Sequence, residues 1–201
     1  MAKANSSHES GTIRELVANA LIHQDFSETG MSVMVELYDD RLEISNPGIP
    51  LIQADRFIDI DKSRNERLAK IMRRLGICEE KGSGIDKVVE ASEFYQLPAP
   101  DFRSNELRTT AVMYCHKDFE DMDRSDRIRA CYQHCCLHFV TNRKMTNQTL
   151  RERFRLSENQ SSIVSQIIKA TSKPDESRLR MLSLHPRNFD NICHTGRKYL
   201  I

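Results

Sequence analysis

The chain has 201 residues, of which 39% are hydrophobic and 29% charged, with a formal net charge of +1. No apolar run approaches the roughly 18 residues of a membrane helix, and the opening "MAKANSSHESGT" lacks the apolar core of a signal peptide. These features point away from a membrane or secreted protein, towards a cytoplasmic one whose six cysteines are reduced thiols.

The small net charge hides a division along the chain. From Ser125 to Ile201 there are 14 Lys and Arg against 6 Asp and Glu, a net of +8, whereas residues 1–124 hold 16 against 23, a net of −7. An acidic first part joined to a basic second part predicts two domains, the second suited to a polyanion. We expect a first domain over 1–117, a linker over 118–124 that contains the apolar-poor "DFEDMDR", and a second domain over 125–201.

In chain order, "RELVANALIH" reads as a helix that carries Glu15 and Asn19 four residues apart, and therefore on one face. "GMSVMVELYDDRLEISNPGIP" reads as a hairpin with apolar Val33, Val35 and Leu37, a turn at Asp39-Asp40, a second strand with Leu42 and Ile44, and a break at Asn46-Pro47-Gly48. "NERLAKIMRRLGI" spaces Leu68, Ile71, Met72 and Leu75 helically, with Gly76 as the stop. Gly82 and Gly84 then open a helix that turns Ile85, Val88 and Val89 inward, and "LRTTAVMY" has the β-branched and aromatic content of a strand.

Beyond the linker, "DRIRACYQHCCLHFV" and "TNQTLRERFRL" read as helices, the second capped by Thr146 or Asn147. "SENQSSIVSQIIKATSK" reads as a third helix, capped by Ser157, with Ile163, Ile167 and Ile168 inward. This order is that of a helix-turn-helix. Leu179, Met181, Leu184 and the later "KYLI" suit two strands of a wing, which makes the predicted domain a small winged helix. The pairs Cys131/Cys135 and His134/His138, with Cys136 nearby, have i, i+4 spacing that can chelate a metal, but cysteine on a helix is also a small buried hydrophobe, and the latter is our expectation.

Taken together, "ELVANALIH", "DDRLEISNPGIP" and "EEKGSGIDKVVE" resemble the GHKL ATP-binding domain shared by gyrase, the heat-shock chaperone, histidine kinases and MutL. They are more similar still to its divergent branch of RecG-related helicase C-terminal and Schlafen AlbA-associated ATPase domains, over residues 12 to 115. The resemblance implies an α+β chain, a GHKL-like α/β sandwich that is truncated at its N-terminus, followed by the winged helix. It further implies Glu15 as the base that activates water, Asn19 as the magnesium ligand, and Asn46, Gly48, Gly82 and Gly84 as nucleotide contacts, with ATP and Mg as cofactors. Glycine backbone ahead of a helix N-terminus is suited to phosphate oxygens. His23 is a lesser candidate for a phosphate contact. Aligned on "PGIP", Ile44 stands where the family has its adenine-binding aspartate, so that either Asp40 or Asn46 supplies the acceptor from a different register or adenine recognition has been lost.

In the second domain, Asn159, Gln160, Ser161, Ser162 and Ser165 open the candidate recognition helix, and Lys144, Arg151, Arg153 and Lys169 can neutralise phosphates. The expectation is a homodimeric, DNA-binding transcriptional regulator in which any bound nucleotide acts as a switch, with no membrane partner. The alternatives are a slow Mg-dependent ATPase and an interaction module with neither nucleotide nor DNA. A helicase motor is not expected, because the sequence contains no "GxxxxGK[ST]" loop.

Overall fold

The computed structural model describes residues 2–58, 62–78 and 84–172. Gly82 and the predicted wing, Leu179 to the "KYLI" end, lie outside the described residues. The chain divides into two compact units, Met1–His116 and Lys117–Ile201.

The first unit opens with helix α1 (Ala2–His23) and continues through strands β1 (Met34–Leu37) and β2 (Arg41–Pro47), helices α2 (Glu66–Arg74) and α3 (Gly84–Phe94), and strands β3 (Asp101–Ser104) and β4 (Arg108–Tyr114). The strands form one antiparallel sheet in the order β1-β2-β4-β3. Leu16 and Ala20 of α1, Ile44 of β2 and Val88 of α3 bury against one another, with Leu42, Phe102, Ala111 and Met113 from the sheet packed around them. Two helices thus cover one sheet face, which is the two-layer solution to burying one apolar face of a sheet. A second cluster, Ala18 and Ile22 with Ala69 and Met72, packs α2 on another side of α1.

Two sequence expectations change, and one holds. β1 is an edge strand, so Val35 and Leu37 are exposed although their alternation is that of a half-buried strand. In α2 the inward residues are Ala69 and Met72, while Ile71 and Leu75 point to solvent, because the helix meets α1 along a narrow stripe. Gly76, with φ +67°, ends α2 as expected: its N–H donates to the Arg73 carbonyl at 3.0 Å and that of Ile77 to Met72 at 2.9 Å, the paired bonds of a Schellman stop.

The turn after β2 is held from three sides. Gly48 has φ +100°, and an added Cβ would lie 2.7 Å from Asp25 Cβ, so only glycine fits. The Asp25 N–H donates to the Pro47 carbonyl at 2.9 Å, while Arg64 joins the Asp25 carboxylate at 2.7 Å to the Ile49 carbonyl at 2.5 Å. Asn65 Nδ2 donates to the carbonyls of Ile22 at 2.9 Å and Gln24 at 2.8 Å, which ties the end of α1 to the start of α2. Hydrogen bonds from Ser27, and then the charge of Arg64, hold the Asp25 carboxyl below its usual range.

The second unit contains helices α4 (Arg124–Val140), α5 (Asn147–Arg153) and α6 (Ser161–Ser172). Asp123 caps α4 by accepting the Asp126 N–H at 2.7 Å, a bond that lowers its carboxyl pKa. Thr146 caps α5 in a reciprocal pair with Thr149, at 3.1 and 3.0 Å. Ser157 precedes a short 3-10 turn, Glu158–Gln160, rather than α6 itself. In α6 the inward residues are Val164, Ile167, Ile168 and Thr171, so Ile167 and Ile168 face inward as expected, while Val164 takes the inward place expected of Ile163, which is exposed. Cys131 and Cys135 lie in the core, and among the described residues no group of three or more His, Cys, Asp or Glu is arranged around a metal position.

The Gly48 geometry predicts that Gly48→Ala lowers unfolding stability by about 2 kcal/mol or more, from positive φ and overpacking together. Urea denaturation checks this, and an unchanged midpoint would refute the close approach.

Candidate functional site

A cleft in the first unit runs between α1, the inner face of the sheet and the start of α3. Its geometry follows from the pleat. In β2, Ile44 and Asn46 have the same parity and project to the same face, and antiparallel register sets them opposite Ala111 and Thr109 of β4. All four line the cleft. Ile44 belongs to its apolar floor, being 2% exposed and packed with Leu16 and Val88. Asn46 is the polar group beside it: buried, its Nδ2 donating to the Pro47 carbonyl at 3.1 Å, which leaves Oδ1 as the amide's acceptor.

Of the two acceptors considered in place of Ile44, Asp40 is not in the cleft. It sits in the β1–β2 turn, largely exposed, and pairs with Arg41 at 2.9 Å. Thr109 has no signal in the sequence beyond membership of a strand, because only the register reveals its neighbour. Its hydroxyl donates to the Gly48 carbonyl at 2.9 Å. Gly48 itself does not line the cleft; it shapes the turn that carries Asn46 and anchors Thr109.

Glu15 and Asn19 both line the cleft from α1. Glu15 is 5% exposed, and its carboxylate rests against the Cα of Gly84, the first residue of α3. An added Cβ at Gly84 would overlap Glu15 Oε1 and lie 2.9 Å from its Cδ. The negative group thus occupies the positive end of an eleven-residue helix, which offsets part of its desolvation. Asn19 Nδ2 approaches Glu15 Oε1 at 3.5 Å, a long contact. With that nitrogen turned to the carboxylate, Asn19 Oδ1 is the atom left for another partner. His23, Lys62 and Arg73 also border the cleft. The side chains of the two cations make no hydrogen bond or ion pair among the described residues.

In the second unit, the candidates for DNA contact separate into two groups. Lys144, Ser161, Ser162 and Lys169 are exposed with no side-chain hydrogen bond among the described residues, while Asn159 and Ser165 are exposed but bonded. The others have structural tasks. Gln160 Oε1 accepts from the Ser157 N–H and hydroxyl, each at 3.0 Å, and the Ser157 hydroxyl also contacts Asn159 Oδ1. Ser165 accepts from Asn147 Nδ2 at 2.9 Å, a bond that links α6 to α5, and Arg151 Nε donates to Asn147 Oδ1 at 3.1 Å. Arg153 is a correction: it is only 5% exposed, with its guanidinium 6.0 Å from the Phe154 ring centroid, because the inward face of α5 runs through Leu150 and Arg153.

Residues 30–113 match the family model described as "Putative ATP-dependent DNA helicase recG C-terminal". That match lies within the first unit, which is similar to this domain over those residues. The matched span includes Asn46, Gly84 and Thr109, while Glu15 and Asn19 precede it. Among solved structures, the chain is similar to the crystal structure of the DIP2311 protein from Corynebacterium diphtheriae, with a TM-score of 0.51 and 18% identity. That likeness covers 81% of this chain but 36% of that one, so this chain spans well under half of that protein, and it concerns the fold. None of the curated proteins matches the sequence.

The Glu15–Gly84 contact predicts coupled substitutions. Gly84→Ala must expel the carboxylate, and Glu15→Ala vacates the space the new methyl needs. A double-mutant cycle on unfolding free energy should therefore show the pair less destabilised than the sum of the singles, by about 0.5 kcal/mol or more. Strict additivity would mean that the two residues do not touch.

Proposed function

We propose that this chain is a DNA-binding regulator of transcription in which the RecG C-terminal-like domain binds ATP and magnesium as a switch, and the second unit is a winged helix that meets DNA. One observation carries the nucleotide half: a buried carboxylate, a carboxamide at i+4, a second buried amide beside a threonine, and a glycine helix start all face one cleft.

The residues fit the ligand. Asn19 offers one amide oxygen to a magnesium ion, which needs few protein ligands when phosphates and waters complete its shell. The ion would supply charge neutralisation between the phosphates. Gly84, without a side chain, lets the Glu15 carboxylate sit at the cleft wall against the start of α3. Asn46 Oδ1, with Thr109 opposite it across the strand pair, is suited to accept from the amino group of a base. The apolar floor of Leu16, Ile44 and Ile85 suits the face of that base.

Glu15 is within reach of a water next to such a phosphate and can take its proton, so slow hydrolysis is the second reading, favoured by the burial of Glu15 beside Asn19. The name of the matched family does not transfer to this chain as unwinding, because the sequence has no phosphate-binding motor loop.

The DNA half rests on the net charge of +8 over 125–201, the helix, short helix, helix order, and exposed Lys144, Ser161, Ser162 and Lys169. Dimerisation is part of the proposal, as a two-fold operator reader requires it.

Calorimetric titration with ATP and magnesium tests the nucleotide half. Binding should be present in the parent chain and weakened at least tenfold by Asn19→Ala. Glu15→Ala should retain binding and, if hydrolysis occurs, abolish it. Absence of heat with the parent chain would refute the nucleotide reading.

A further inference from the structure

The first unit is acidic, yet Lys62, Arg64, Arg67, Lys70, Arg73 and Arg74 fall within thirteen residues that contain one acid, Glu66. Two of these cations are accounted for by the structure already described: Arg64 is held by Asp25 and the Ile49 carbonyl, and Arg73 borders the cleft. Lys62 also borders the cleft. Arg67, Lys70 and Arg74 remain. They stand at i, i+3 and i+7 of α2, on one face, and all three are exposed. Among the described residues none of them makes an ion pair or a hydrogen bond, and Glu66, four residues before Lys70, is not paired with it. Asp59, Asp61, Glu79 and Glu80 flank the segment in sequence and lie outside the described residues.

Helix stability does not account for the three charges. A cation in the last turn, such as Arg74, is favoured by the helix dipole, but Arg67 sits in the first turn, where the dipole opposes it. Nor does packing, since Ala69 and Met72 bind α2 to α1 on the opposite side. A negative partner on the outward face would compensate all three at once.

We propose that the outward face of α2 binds the phosphate backbone of duplex nucleic acid through Arg67, Lys70 and Arg74. The spacing supports this occupant. At ~1.5 Å of rise per residue the three side chains leave the helix over ~10 Å, a length in which one strand of a duplex presents about three phosphates. The charge supports it too. A unit of net negative charge is repelled by a polyanion, and this helix face is the place where the sign is locally reversed. This contact goes beyond the function proposed above, which assigns DNA to the second unit.

The test uses the full chain and a labelled mixed-sequence duplex, with binding followed by fluorescence anisotropy across a salt series. Alanine at exposed helix positions is compatible with the helix, so R67A/K70A/R74A should fold. It should bind more weakly and reduce the slope of log K against log salt by about 2 to 3. K144A/K169A, in the second unit, probes the earlier reading separately. If K144A/K169A flattens the slope while R67A/K70A/R74A keeps it whole, the α2 contact is overturned and the second-unit reading stands. If the triple variant flattens it and K144A/K169A does not, the α2 contact stands alone. A parent chain that binds no duplex overturns both. Should the triple variant fail to give a cooperative thermal melt, Lys70→Gln alone should lower the slope by about 1; an unchanged slope overturns the proposal. A triple variant with unchanged DNA binding but a lower mass in light scattering would identify the occupant as an acidic surface of a second copy, and also overturns it.

Discussion

The contact between the Glu15 carboxylate and the bare Cα of Gly84 is the constraint on which the first unit depends. A carboxylate buried at 5% exposure needs compensation, and the N-terminus of α3 beside it supplies part of it. The seat fixes how closely α1 approaches α3, and with it the position of Leu16 and Ala20 against Ile44 and Val88. It also fixes Asn19, one turn further along α1, at the wall of the cleft. A side chain at position 84 would separate the helices or eject the acid.

The far wall of the cleft is set by pairing rather than by helix contact. The β2–β4 register puts Asn46 beside Thr109, and the Gly48 turn holds that pair in place, through the Thr109 hydroxyl on its carbonyl and through Asp25 and Arg64 behind it. Arg64 and Asn65 then lead directly into α2, which carries Arg73 to the cleft and Arg67, Lys70 and Arg74 outward. The same short segment therefore borders the cleft and presents the basic face.

What the sequence made legible was local. The i, i+4 pair on α1, the hairpin with its Asp-Asp turn, the Gly76 stop and the Thr146 cap each depend on a few adjacent residues, and each is found in the structure. What failed depended on distant partners. Alternation in β1 could not show that the strand is at an edge, and helical spacing in α2 could not show that Ile71 and Leu75 face solvent. Thr109 was hidden because its significance lies in what it pairs with, and Asp40 was misleading because proximity in sequence to Ile44 is not proximity in space. Arg153 was similarly misread: charge alone suggested a phosphate contact, whereas the face of α5 that carries it turns inward.

The central claim is that the cleft around Glu15, Asn19, Asn46 and Gly84 is a nucleotide site. Amide hydrogen exchange on the full chain, with and without ATP and magnesium, tests it most directly, because it reports where a ligand sits as well as whether one binds. The account predicts slowed exchange in the second half of α1, residues 14–23, and in α3, residues 84–94, with little change over 124–172. Unchanged exchange in both helices, or protection confined to the second unit, would contradict it.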